Sequence, residues 1–273
     1  MELVVFDLDG TLLNRDSALS ERTAETLHLL SARGIAYTVA TGRMLHGSRA
    51  ILQGHGFRLP QVLKNGVMIW HPESEHYSCV SILTQPEIQH VLEAVIAQQI
   101  TPFIFTLEPG NRHAVYHTPL QSPVEENLVR FYLKQVDIAV RPAAELPATA
   151  DITNISAIGS MAHIQQIERL IDEEEHLVAY AGTALEGEHL GWIDIHHSEA
   201  SKGGAIAQLK RDLGATRVIC FGDSDNDLSM FAMADESYAP VNAKPAIKAA
   251  ATAIIGHHDE NGIAEFLHER FKL

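Results

Sequence analysis

The chain predicts an α/β fold: a Rossmann-like doubly wound parallel sheet interrupted by an inserted α+β segment. Three observations carry this reading. Short apolar runs such as Leu3–Leu8 and Val218–Phe221 lack polar alternation, as strands buried on both faces require. Helix-length stretches separate such runs, at the spacing of β–α–β units. Beyond about Val80 the rhythm changes, and prolines at 102, 109, 119, 123, 142 and 147 punctuate shorter segments.

The elements follow in order. Leu3–Leu8 is a strand ended by the turn-forming pair Asp9-Gly10. Ser20 caps a helix that carries Ala24, Leu27 and Leu30 on one stripe and stops at Gly34. Ile35–Ala40 is a second strand, closed by Thr41-Gly42-Arg43. A helix over about Leu45–Gln53 and a strand at Gln61–Leu63 precede Asn65-Gly66. In the inserted segment, Ser81–Thr84 reads as a strand and Pro86–Gln98 as a helix. Short strands and loops follow, then a strand at Ile152–Ile158 and a helix from Met161 to about Glu174. Trp192–His196 returns to the buried-strand pattern. Ser201 caps a helix from Lys202 to Leu213, stopped at Gly214, and Val218–Phe221 ends at Gly222-Asp223. A further helix, a short strand at Ile254-Ile255 and a helix over Gly262–His268 complete the chain. The expected organisation is a discontinuous core, residues 1–80 and 190–273, around an inserted α+β unit, residues 81–189.

Composition narrows the function. Lys plus Arg number 20 against 35 for Asp plus Glu, a net charge of −15. A chain so acidic, with no basic cluster, is repelled by nucleic acid and by anionic membranes, so neither is expected as a partner. No apolar run reaches the ~18 residues that span a bilayer. The first residues carry carboxylates and no basic segment, unlike a signal peptide. Cys79 and Cys220 lie far apart in apolar stretches and read as buried thiols of a reducing compartment. A cytoplasmic protein, monomeric or weakly self-associating, is expected.

In open parallel sheets, ligands bind at the carboxyl ends of the strands. The residues there are Asp7-Leu8-Asp9-Gly10-Thr11, Thr41-Gly42, Asn65-Gly66 and Gly222-Asp223-Ser224-Asp225-Asn226-Asp227. Carboxylates gathered together repel and take up protons unless a cation joins them. An all-oxygen set with few protein ligands suits Mg²⁺, which keeps waters and accepts a phosphate oxygen. Lys202 opens a helix, where free N–H groups and a point charge favour an anion, and Gly203-Gly204 allows close approach. Carboxylates, a divalent cation, the Thr41 hydroxyl and one lysine form a set suited to phosphoryl transfer. Taken singly, an Asp-Gly pair is a turn, Thr41 a strand-end hydroxyl, Asn65 a turn former and Lys202 a solvated helix residue.

Together these residues resemble a family. Asp-x-Asp-Gly-Thr at 7–11, Thr41, Lys202 and Gly-Asp-x-x-Asn-Asp at 222–227 resemble the four motifs of the haloacid dehalogenase superfamily. Thr41-Gly42-Arg43, Asn65-Gly66, Ser201-Lys202-Gly203 and Asp227 followed by Met230 are similar to its Cof-like phosphatases, which carry a large α/β cap between the second and third motifs. The resemblance implies that Asp7 is a nucleophile forming an aspartyl-phosphate, and that Asp9 is the acid and then the base. It implies Mg²⁺ held by Asp7, the Asp9 carbonyl and Asp223, with phosphate bound at Leu8, Thr41, Gly42, Lys202 and Asn226. Asp227 and Asn65 are implied to support these groups. The expected reaction is hydrolysis of small phosphorylated metabolites, such as sugar phosphates or pyridoxal phosphate. A phosphosugar mutase, or a catalytically silent phosphosugar-binding regulator, is the alternative.

Two further groups invite a reading. Among the 16 histidines, the adjacent pairs His196-His197 and His257-His258 lack metal-ligand spacing and would point to opposite faces of a strand. Arg112, His113, Tyr116 and His117 are expected on a polar hairpin, where a loop could meet substrate.

Overall fold

In the computed structural model, which describes residues 1–79, 81–135, 138–184, 187 and 189–273, the opening apolar run forms strand β1 (Glu2–Phe6). The strand stops two residues short of the expected Leu8, because residues 8–12 wind into a tight π-type turn. Helix α1 (Glu21–Ala32) begins where Ser20 accepts a hydrogen bond from the Thr23 N–H. Then come β2 (Ala36–Val39), α2 (Leu45–Leu52) and β3 (Gln61–Leu63). Two strands that the sequence pattern did not signal, β4 (Met68–His71) and β5 (His76–Cys79), add an antiparallel meander to β3.

Next are α3 (Gln85–Ala97), the hairpin β6 (Phe103–Glu108) and β7 (Arg112–His117), α4 (Pro123–Leu133) and β8 (Ile138–Pro142). They are followed by β9 (Ile152–Ser160), α5 (Met161–Ile171), β10 (Leu177–Thr183) and β11 (Leu190–His197). The remainder is α6 (Lys202–Asp212), β12 (Arg217–Phe221), α7 (Leu228–Met233), β13 (Glu236–Pro240), α8 (Pro245–Ala250), β14 (Ala253–Ile255) and α9 (Gly262–Phe271).

The chain divides into two units, Met1–Val80 with Ala200–Leu273, and Ser81–Glu199. The first contains a five-stranded parallel sheet in the order β14-β13-β12-β1-β2. Side chains of β1 alternate between two apolar layers. Val4 and Phe6 pack with Leu27, Leu30, Ile263 and Leu267 of α1 and α9. Leu3 and Val5 pack with Ile206 and Leu209 of α6 and with Met230 and Ile247 of α7 and α8. Helices thus cover both faces, the doubly wound arrangement. Successive connections run outward in opposite directions from β1 and β12, so the topological switch lies between those two strands.

The second unit is a six-stranded sheet, β10-β11-β9-β6-β7-β8, antiparallel except where β7 runs parallel to β8. Ile88, Val91 and Val95 of α3 and Ile164, Ile167 and Ile171 of α5 pack on Ile104, Ile155, Ile193 and Ile195. Several expectations are corrected here. β11 follows the buried-strand pattern but pairs with β9 and β10, so the return to the first unit falls at Ala200 and not near 190. Ser81–Thr84 contributes only an isolated bridge, Leu83 to Ile152. The proline-punctuated stretch contains α4, whose start is fixed by Ser122 and Glu125 capping one another's backbone N–H groups. Tyr116, expected on a hairpin loop, is fully buried in β7 and donates to Glu108. Cys220 is buried and free, whereas the Cys79 side chain lies outside the described residues. Among the described residues, no helix is long and apolar enough to cross a membrane.

Candidate active site

At the switch point, the first residues beyond β1 and β12 meet. Asp7 continues the strand ladder by donating its N–H to the Phe221 carbonyl at 2.9 Å. The chain then turns through Asp9 (φ −73°, ψ 127°) and Gly10 (φ 72°, ψ 0°), the pattern of a type II turn. Only glycine enters that second position without strain, and a Cβ on Gly10 would also stand 2.6 Å from Asp223 Oδ2. Thr11 donates its hydroxyl to Asp223 Oδ1 at 3.1 Å, tying the turn to the end of β12.

Lys202 enters from the first turn of α6, which Ser201 caps through the Gly204 N–H. Its Nζ lies 2.6 Å from Asp7 Oδ1 and 2.7 Å from Asp227 Oδ1, with no solvent exposure. Asp227 Oδ2 accepts from the Asp223 and Ser224 N–H groups at 2.8 and 2.9 Å. Gly203 lets α6 come against the start of α7, since a Cβ there would overlap the Ser229 carbonyl. Lys202 is therefore a buried ion-pair centre, unlike the solvated helix residue its position alone suggests.

On the other side, Thr41 is buried at the end of β2, and its hydroxyl accepts from the Arg43 N–H at 3.1 Å. The Asn65 N–H donates to the Thr41 carbonyl at 3.0 Å, with Asn65 itself at φ 55°. Asn65 Oδ1 accepts from Asn226 Nδ2 at 2.9 Å, and the Gly42 Cα sits beside this amide, where a Cβ would come to 3.2 Å. Asn226 Oδ1 is buried and has no hydrogen-bond partner, so the site retains an unspent acceptor. Leu8 buries its side chain in the core, leaving only its main chain for a ligand.

The structure thus brings Asp7, Asp223, Asp227 and Lys202 together, and joins Thr41, Gly42, Asn65 and Asn226 in a second connected group. The Asp9 side chain stands apart from both groups. It is half-exposed, and its two oxygens are gripped by Arg43 through Nε at 2.8 Å and Nη2 at 2.5 Å. Arg43 is itself anchored by donating Nη1 to the Gly47 carbonyl at 2.8 Å. Arg43 and Thr11 fall within the sequence motifs, but nothing local marks the contacts they make with Asp9 and Asp223.

Charge sets the character of the site. Burial raises the Asp7 carboxyl well above its ordinary value; Lys202 opposes this, while Asp227 and Asp223 push it further up. Burial also raises Asp223, with Asp227 adding to the effect. Burial works against the Lys202 charge, but the carboxylates of Asp227 and Asp7 outweigh it and hold the ammonium above its ordinary value. One ammonium therefore faces more carboxylate than it can neutralise. Oxygens of Asp7, Asp223 and Asp227 all lie within 4.8 Å of one another, an all-oxygen donor set that fits a hard divalent cation. Because Lys202 and two backbone N–H groups already engage Asp227, Asp7 and Asp223 are the better placed ligands.

A second cluster contradicts the expectation for His257-His258. The two residues sit at a 3-10 turn with ring centroids 4.8 Å apart, on no strand, and with Asp259 they bring ligand atoms within 4.8 Å. Part of it is already engaged: His258 Nδ1 donates to the Leu13 carbonyl at 2.7 Å, and both Asp259 oxygens accept from Arg15.

Comparisons with known proteins agree with this geometry. Residues 4–267 match the family model described as haloacid dehalogenase-like hydrolase. The 5-amino-6-(5-phospho-D-ribitylamino)uracil phosphatase YwtE of Bacillus subtilis (strain 168) is 26% identical over 98% of this chain and 98% of its own. An HMP-PP phosphatase of Yersinia enterocolitica is 26% identical over 97% of this chain and 93% of its own. A crystal structure of a haloacid dehalogenase-like hydrolase from Bacteroides thetaiotaomicron superposes with a TM-score of 0.76 at 23% identity, covering 99% of each chain.

Proposed function

The chain belongs to the haloacid dehalogenase-like hydrolases, and from that premise we propose that it is a magnesium-dependent phosphatase of small phosphorylated metabolites working through a phosphorylated Asp7. The observation that carries this reading is the buried Lys202 ammonium between Asp7 and Asp227, with Asp223 alongside.

Lys202 fixes Asp7 Oδ1 and leaves Oδ2 as the attacking atom. A new bond forms between Oδ2 and phosphorus while the ester P–O bond breaks. The Asp9 carboxyl gives its proton to the departing oxygen, for which it must first turn away from Arg43. As a carboxylate it then takes a proton from water, whose oxygen attacks phosphorus and returns Asp7 and inorganic phosphate. The Thr41 hydroxyl, the Leu8 and Gly42 N–H groups, Lys202 and Asn226 hold the phosphate oxygens. Asp227 holds Lys202 in place, and Asn65 orients the Asn226 amide. Bound Mg²⁺, held by Asp7, Asp223 and the Asp9 main-chain carbonyl, supplies neutralisation of the charge on the transferring group.

The first unit is the catalytic one in this reading, and the inserted unit sets selectivity among phosphorylated compounds. The named phosphatases among the relatives support small organic phosphates as the substrate class. The test is inorganic phosphate release from p-nitrophenyl phosphate and from a panel of phosphorylated metabolites, with Mg²⁺ and after exhaustive chelation. Release that persists unchanged in chelator, or in Asp7→Asn, rejects the reading.

A further inference from the structure

Asn242, which no motif singled out, is bonded to the turn that carries Asp9. It follows β13, and its Nδ2 donates to the Gly10 carbonyl at 2.7 Å. A carbonyl only accepts, so the amide must present its NH2 to Gly10 and turn its oxygen the other way. That oxygen accepts from the His258 N–H at 3.2 Å. His258 then reaches the same loop three residues further on, donating Nδ1 to the Leu13 carbonyl at 2.7 Å. Asp259 completes the bracket, accepting from Arg15 N at 2.6 Å and Arg15 Nε at 2.9 Å. Residues 10 to 15 are thus held from behind by the ends of β13 and β14, while Thr11 and Asp9 are held from the site side by Asp223 and Arg43.

The Gly10 carbonyl is a sensitive point of attachment. In a type II turn the peptide between the two central residues is flipped relative to type I. That peptide carries the Asp9 carbonyl, and the same pair of residues sets where the Asp9 side chain leaves the backbone. The direction of the Gly10 carbonyl follows from Gly10 ψ, which is 0° here and near 0° in either turn type, so the bond from Asn242 fixes the exit of the turn and with it the place of the backbone that carries Asp9. We propose that Asn242 is a positioning residue, whose grip on the Gly10 carbonyl fixes the backbone from which Asp9, once released by Arg43, reaches the leaving group.

The inference rests on the reading of Asp9 as proton donor, and the test separates the two. Phenoxide is a poor leaving group that needs a proton, whereas 2,4-dinitrophenoxide departs without one. Asn242→Asp keeps an acceptor for His258 but sets an oxygen against the Gly10 carbonyl. The expected result is a fall in kcat/KM, which reports only the phosphorylation of Asp7 and not the later attack of water, of about tenfold or more on phenyl phosphate, with less than about a threefold change on 2,4-dinitrophenyl phosphate. Asn242→Ala shows the same contrast, and carries the comparison if the Asp variant fails to give the wild-type circular dichroism. A tie that merely stabilises the loop would slow both substrates alike, and that outcome, or no loss on either, overturns the proposal. Asp9→Asn serves as the reference and must show the larger contrast. If it shows none, the acid role of Asp9 falls and the positioning role with it; if Asp9→Asn shows it and the Asn242 variants do not, the positioning role alone is lost.

Discussion

Lys202 and Asp7 meet at 2.6 Å across a sequence separation of 195 residues, with the lysine wholly removed from solvent. Taking an ammonium out of water is costly, and what offsets the cost is a carboxylate on each side of it. The pair therefore couples the two sequence segments of the first unit as well as serving the site.

Lys202→Met should destabilise the protein by about 3–5 kcal/mol, because it strands buried carboxylates without a counter-charge. The urea midpoint measures this. Since the folded lysine value is raised, its contribution is full below the ordinary lysine range and is lost as pH climbs through the folded value. Wild-type protein should thus weaken in strong alkali by a step that the Met variant lacks. An unchanged midpoint in the variant would contradict the burial of an ion pair here.

Asp7→Asn keeps the shape of the site and removes the proposed nucleophile. Phosphate release should fall about a thousandfold or more, with the circular dichroism spectrum retained. Trapping after acid quench should yield labelled protein from wild type and none from the variant.

Magnesium should raise the melting temperature, since a ligand bound only by the folded state adds about 2.7 kcal/mol at one hundred times its dissociation constant. Asp223→Asn should abolish that rise. The sign of the pH effect follows from the raised Asp223 carboxyl: without metal, stability is lost as pH rises from the unfolded carboxyl range toward the folded value. Metal-free Asp223→Asn should therefore be the more stable form at pH about 8, read by thermal melts with and without Mg²⁺.

Glu125, in the second unit, is almost wholly buried and accepts from Thr101 N and Oγ1, each at 2.8 Å, and from Gln121 N at 2.5 Å and Ser122 N at 3.0 Å. Glu125→Ala leaves those donors unpaired and should cost about 2–4 kcal/mol. Glu125→Gln should cost nearly as much, because its NH2 must face a donor. A denaturant midpoint within error of wild type for either would show that the cluster has no such role.

How much of this was legible depended on how local the cause was. Ser20 and Ser201 act on residues three positions away, so their caps could be read directly. The strands β1 and β12 announced themselves because a strand buried on both faces has no polar alternation. β11 carries the same local pattern, yet pairing decides which sheet a strand joins, and pairing is a long-range property. β13 opens on Glu236, whose charge is taken up by Arg270 and Arg217, and closes on a proline, so nothing apolar marked it. α4 was hidden by Pro123, which reads as a loop breaker but stands at the first helical position, where its missing N–H costs nothing. In the site, the motif residues were visible as types at spacings. The Arg43 grip on Asp9 and the reach of Asn242 to Gly10 depend on strand order, which no window of sequence contains.

The pairing of β1 with β12, Glu2 beside Arg217 and Phe6 beside Phe221, also orders events during synthesis. The ribosome delivers β1 and β2 early, but the neighbour that completes their sheet emerges only after the whole of Ser81–Glu199 has been made. That intervening unit is continuous and has its own apolar layer, whereas one edge of β1 has no neighbour until β12 has been made. The acidic site is therefore complete only once the segments on either side of the inserted unit, one carrying Asp7 and the other Asp223 and Asp227, have paired.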